Sequence, residues 1–131
     1  MQDVNKIILV GRLGANPILR ETKTGTSVVH FPLATSRRLR DDGEERDEAS
    51  HSEVTQWHRV VVWGKLGEFC SQYLKKGHPV YVEGSFRSHK YDTKEGESRV
   101  AFEVHAEKVS FLGSALRAVE AGSSEKVAVS A

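Results

Sequence analysis

The sequence predicts an all-β chain with one helix, folded as a five-stranded Greek-key barrel of the OB type. Three observations lead there. Several stretches alternate apolar and polar residues with the period of two that a half-buried strand requires. A single segment, between the third and fourth of the five main strand regions, switches to the helical period. The length, 131 residues, suits one domain with a real hydrophobic core. Residues 1–113 are expected to form that domain and 114–131 a short flexible tail.

Val4 to Leu13 reads as the first strand, broken at Gly14 and by the turn signal Asn16-Pro17. A short stretch, Ile18 to Lys23, ends at Thr24-Gly25. Val28 to Ser36 alternates again, with Val29, Phe31 and Leu33 on one face, and Pro32 implies an edge or a bulge. Residues 39–54 are polar and charged, and read as a mobile loop, disordered without ligand. Thr55 to Gly64 is the next strand. Leu66, Phe69, Cys70, Tyr73 and Leu74 then make one helical stripe. Lys75 and Lys76 are expected in its last turn, where cations suit the helix dipole, and Gly77 as its left-handed stop. Val80 to Tyr91 and Arg99 to Leu112 are long strands joined by a turn from Asp92 to Glu97. The second should place Val100, Phe102, Val104 and Ala106 on one face.

Composition, 38% hydrophobic against 28% charged, describes a soluble globular protein, and the net charge is only +1. Its distribution is uneven. Arg37 to Glu53 holds seven acids and four bases, a charge of −3, so the remainder carries +4. A mildly basic body with one acidic excursion is compatible with phosphate binding. One cysteine, Cys70, excludes an internal disulfide and a multi-cysteine metal site. The apolar run Ile7 to Val10 is too short for a signal peptide or a membrane span, so a cytoplasmic, nucleoid-associated location is expected.

The segment Thr55-Gln56-Trp57-His58-Arg59-Val60-Val61-Val62-Trp63-Gly64 carries the functional argument. Trp57, Arg59, Val61 and Trp63 share one face; His58, Val60 and Val62 share the other, which supplies an ordinary core. Two indoles flanking a guanidinium on the non-core row suit unpaired bases, which stack on rings while cations hold the phosphates. Tyr91 ends the next long strand on its polar row and joins them as a stacking candidate. Arg59, Lys65, Arg87, His89 and Lys90 are candidate phosphate ligands, with Arg37 and Arg38 at the root of the acidic loop. Each alone would read as a solvated surface charge; the aromatics beside them change that reading.

Catalysis is disfavoured. The six histidines show no HExxH or H-x₃-H spacing, Gly64-Lys65 lacks the glycines of a P-loop, and Cys70 lies on the apolar helix stripe as a structural thiol. His58 reads as a buried or interface histidine. No metal, no cofactor and no enzymatic activity are expected.

These residues resemble the bacterial single-stranded DNA-binding protein family. The resemblance rests on Asn5 to Gly14, Phe31 to Ser36, Thr55 to Leu66, Tyr73 to Gly77 and Val80 to Gly84, in family order across residues 4–113. It implies an OB fold assembled as a homotetramer with DNA wrapped around it, and base-stacking roles for Trp57, Trp63 (commonly phenylalanine) and Tyr91 (commonly tryptophan). Three departures stand out. Leu39 replaces a tryptophan found in many members. The loop from Arg40 to Glu53 is long and acidic, which would weaken or gate binding. The tail ends Lys126-Val127-Ala128-Val129-Ser130-Ala131, without the family's acidic cluster and terminal phenylalanine that recruit replication and repair enzymes. The expectation is therefore either a truncated chain or a member that coats DNA without that docking signal. The main reading is sequence-independent binding and protection of single strands in replication, recombination and repair. The alternative is a dimeric OB-fold accessory protein, of primosome or plasmid type, acting mainly through protein partners.

Overall fold

A computed structural model describes residues 2–39 and 53–113, and the backbone of residues 128–130. Of the loop expected over residues 39–54, Glu53 and Val54 belong instead to a strand, paired with Arg38 and Arg37; residues 40–52 and most of the tail, with the expectations placed on them, lie outside the described residues. The elements are β1 (Ile7–Leu13), β2 (Ile18–Glu21), β3 (Ser27–Arg38), β4 (Glu53–Trp63), α1 (Gly64–Tyr73), β5 (Pro79–Asp92), β6 (Ser98–Phe111) and β7 (Ala128–Ser130).

Hydrogen-bonded neighbours run β1-β5-β6-β4-β3, and β1 also pairs β3 through Arg12↔Ala34 and Leu13↔Leu33, which closes the ring. Five strands thus form a barrel, with α1 between the third and fourth of them, as the OB fold requires. Every pairing is antiparallel except β4 with β6. The short β2 pairs β3 alone, over Ile18–Glu21 and Ser27–His30. The tail returns as β7 against Lys108–Ser110 of β6.

The alternating rows fill the interior as their sequence requires. Val29, Phe31 and Leu33 of β3, Val60 and Val62 of β4, and Val80 and Val82 of β5 form one cluster with Leu66, Cys70 and Leu74 of the helical segment. Pro32 sits where β3 changes partner from β2 to β1, and its carbonyl accepts from the Gly14 N–H at 2.9 Å. Its missing donor therefore faces the changeover and not β4, the edge-like setting its ring demands.

Two expectations are corrected. The helix ends at Tyr73, with Leu74 extended as its cap, so Lys75 and Lys76 lie beyond its last turn. Gly77, at φ 89°, belongs instead to the connection into β5, where its N–H donates to the Leu13 carbonyl at 2.8 Å. The proposed core row of β6 is also only half internal: Val104 and Ala106 are buried, whereas Val100 and Phe102 are 47% and 59% exposed. Those two lie where the β5–β6 hairpin has left the barrel. Lower down, Glu83 pairs Lys108 but Gly84 pairs Ala106, so Glu107 is an unpaired bulge residue. One extra residue reverses the alternation, and Val109 and Phe111 face the core below it. Cys70 is fully buried, and desolvation pushes its thiol up to about 12.

Candidate nucleic-acid interface

The outward row of β4 holds two exposed rings. Trp57 is 57% exposed and Trp63 45%, about 20 Å apart along the strand at the usual rise. Arg59 lies exposed between them, while Val61, expected on the same row, is buried. Val61 stands in register with His30 on β3 and His105 on β6, larger side chains that flank it. The opposite row is committed to the core through Val60 and Val62, which leaves the tryptophans no interior to enter. The Trp57 indole is seated over Gly14, where any Cβ would clash with the ring.

A relay of polar contacts ties this row together. Trp63 donates its indole N–H to His105 Nδ1 at 3.2 Å, and the two rings stack with centroids 6.4 Å apart. Nδ1 is then the acceptor, which places the His105 proton on Nε2, 3.1 Å from Glu103 Oε1. The other carboxylate oxygen, Oε2, lies 3.4 Å from Arg59 Nε. His89 Nδ1 approaches Oε1 at 3.8 Å. Glu103, only 9% exposed, is therefore the hub linking Trp63, Arg59 and His89. Sequence reasoning missed it. Its signal was present, since Glu103 and His105 share the non-core row of β6, but its partner Arg59 lies on a strand far back in the chain.

His58 and His30 are half-buried, and burial lowers the pKa of each; for His30 the Arg59 charge adds to the effect. His58 is not a base awaiting a substrate: its Nε2 lies 2.8 Å from Thr35 Oγ1.

The strands carrying these groups diverge. β4 and β6 pair only over Val60–Val62 and Val104–Ala106. Beyond that contact β4 continues upward with β3, and β6 with β5, as two separate hairpins. Two adjoining open grooves lie at their base. One, of about 410 Å³, is lined by Trp57, His58, Arg59, Phe102 and residues of the β1–β2 turn. The second, of about 330 Å³, is lined by Trp57, His58, Arg59, Phe86, Phe102 and Glu103.

The remaining candidates divide between faces. Arg87, His89 and Tyr91 share the outer row of β5, and the rings of His89 and Tyr91 lie 6.3 Å apart. Lys90 is on the opposite row with Phe86. Arg38 shares the row of Ala34, the partner of Trp57, whereas Arg37 points the other way. Lys65 is exposed in the first turn of α1, two residues after Trp63. The structure thus gathers Trp57, Arg59, Trp63, Arg87, His89 and Tyr91 on one side, and places Arg37 and Lys90 on the alternate rows of their strands. Among the described residues no cluster of metal-ligating side chains occurs, and no helix is long and apolar enough to cross a membrane.

Fold and surface together define an OB-fold module whose outer wall presents exposed rings and cations at the mouth between two hairpins. The model of the single-strand binding protein family matches residues 4–112, and the chain belongs to that family. "Single-stranded DNA-binding protein 1" of Chlorobaculum tepidum is 44% identical over 111 residues, 84% of this chain and 65% of that protein. The protein of the same name in Xylella fastidiosa is 40% identical over 113 residues, 86% of this chain and 80% of that one. "Single-stranded DNA-binding protein" of Neisseria meningitidis is 41% identical over 110 residues, 84% of this chain and 60% of its length. This chain thus spans less than two thirds of the first and third of these relatives. Among solved structures, "Plasmodium falciparum SSB complex with ssDNA" matches with a TM-score of 0.75 and 31% identity, covering 86% of this chain and 98% of that one.

Proposed function

We propose that the chain binds single-stranded DNA without reading its sequence, and so protects unpaired strands during replication, recombination and repair. The observation that carries this reading is the exposed Trp57–Arg59–Trp63 row, whose Trp57 and Arg59 line the groove between two hairpins. Bases stack on Trp57, Trp63 and Tyr91, each contributing ~1–3 kcal/mol, and every base has a face to offer. Arg59, Lys65, Arg87, His89 and Lys90 neutralise phosphates, with Arg37 and Arg38 at the margin. The names of the relatives and of the solved complex support the choice of ligand. The role is one of binding, without catalysis, and its setting is the cytoplasm.

Self-association is part of the proposal. Ile8 and Val10 stand 55% and 57% exposed on the outward row of β1, a surface suited to a second copy, and the family resemblance supports assembly as a homotetramer. The same apolar strand would also serve a dimeric accessory protein working through protein partners.

Intrinsic fluorescence tests the reading, because both tryptophans lie in the proposed site. Oligothymidine added at low salt should quench it, and salt should reverse the quench with a slope of ~−0.7 per neutralised phosphate. Trp57→Ala and Trp63→Ala should each lose ~1–3 kcal/mol of affinity. Full affinity in both variants sinks the proposal, and a solution mass of two chains with only weak binding favours the accessory protein.

A further inference from the structure

We infer that Phe102, backed by Phe86, is a further base-stacking platform facing Trp57 across the groove, a role that neither the sequence reading nor the family resemblance assigns to it. The inference rests on the single-strand-binding reading and adds a position to it. Phe102 is the most exposed aromatic residue of the described chain, at 59%. It continues the inward row of β6, but β6 has left β4 at that level, so no core is there to receive it. Phe86 stacks against it with centroids 5.6 Å apart and planes 15° from parallel. That contact fixes the orientation of a ring that the barrel does not hold.

Position makes the pair more than stray apolar surface. Phe102 and Trp57 line both grooves together, and Arg59 lines both as well. A strand threaded between the hairpins would meet the indole on the β4 side and the phenyl ring on the β6 side. Two rings on facing walls offer a slot for flat bases, and the guanidinium lies where the phosphates would run. Lys90, two residues from Ser88 in the Phe86 row, puts a second cation on that face of the hairpin, opposite Val100. The apolar faces and cations together favour an unpaired nucleic-acid strand over an apolar protein segment, and the patch is continuous with the Trp57 site.

The test uses the full chain, a labelled oligothymidine and sedimentation equilibrium. Phe102→Ala and Phe102→Leu should each weaken binding roughly ten-fold with the mass unchanged, because leucine keeps the volume but offers no ring to stack on. Phe102→Trp should retain affinity. Trp57→Ala serves as the control. If the parent chain binds and Trp57→Ala weakens it while Phe102→Ala does not, this platform is refuted and the broader proposal stands. If the parent chain does not bind, the broader proposal fails first. A fall in mass accompanying lost affinity would make the phenyl pair a contact between copies and overturn the inference.

Discussion

The side-chain amide of Asn5 holds the backbone of Phe86 with two hydrogen bonds. Its Nδ2 donates to the Phe86 carbonyl at 2.8 Å, and its Oδ1 accepts from the Phe86 N–H at 2.9 Å. The clamp lies just before β1, eighty-one residues away in sequence, and it grips β5 where the long hairpin departs from the barrel. It therefore sets the angle at which the hairpin and its aromatic residues leave the wall.

Asn5→Ala should accordingly cost about 1 kcal/mol, the net worth of solvent-accessible hydrogen bonds. Urea denaturation measures that loss, and the Phe86 amide should exchange faster with solvent. An unchanged Phe86 exchange rate would show that the clamp does not secure the hairpin.

Gly14 touches no proposed DNA group, yet its substitution should impair binding. A Cβ there would come within 2.7 Å of Trp57 Cη2, so the indole must shift. Gly14→Ala should lose about 1 kcal/mol of oligothymidine affinity, within the range of one stacked base, while the melting temperature moves little. Retained affinity would mean that the indole's position is not critical.

Glu103 competes with phosphate for Arg59. Glu103→Gln removes the negative charge 3.4 Å from Arg59 Nε and frees the guanidinium for DNA. Affinity at low salt should rise by about 0.5–1 kcal/mol, because solvent around the exposed guanidinium weakens its hold on the buried carboxylate, and the advantage should fade as salt screens it. Weaker binding in a titration of this variant would show that Glu103 matters more as a support for Arg59 than as its competitor.

Acid should weaken the fold through His58 and His30. Burial holds both below the ordinary value of 6.5, so the unfolded chain takes up protons at a pH where the folded chain does not. Their contribution to stability is whole above that value and drains away as pH falls below it toward the folded values. The urea midpoint should be lower at pH 5.5 than at pH 7.5. His58→Gln, which can still bond Thr35, should make that dependence shallower; an identical slope would place the proton uptake elsewhere.

Much of this was legible from residue order alone. Strand rows such as Val29-Phe31-Leu33 face the core because period-two patterning reports burial directly. The tryptophans were legible for the complementary reason: Val60 and Val62 had already claimed the interior. What stayed hidden depends on long-range geometry. Val61 is buried because of neighbours on β3 and β6, and Glu103 is a hub because β6 lies parallel to β4. Phe102 looked like core because alternation says which way a side chain points, but not whether the barrel extends that far. Lys75 and Lys76 fell outside the helix because Leu74 turns extended to enter the core, a tertiary demand that overrides the local pattern.

The bulge at Glu107 has a consequence for how this chain tolerates length changes. Above it, even-numbered positions of β6 point inward; below it, odd-numbered ones do. Deleting that single residue would turn Val109 and Phe111 toward water, or else drag the upper half through a half-turn and swap Glu103 for Phe102 on the outer wall. Matched pairs of residues inserted near the Asp92–Ser98 tip leave both phases intact. The tip is thus free to lengthen or shorten, while the lower strand is locked to its present count.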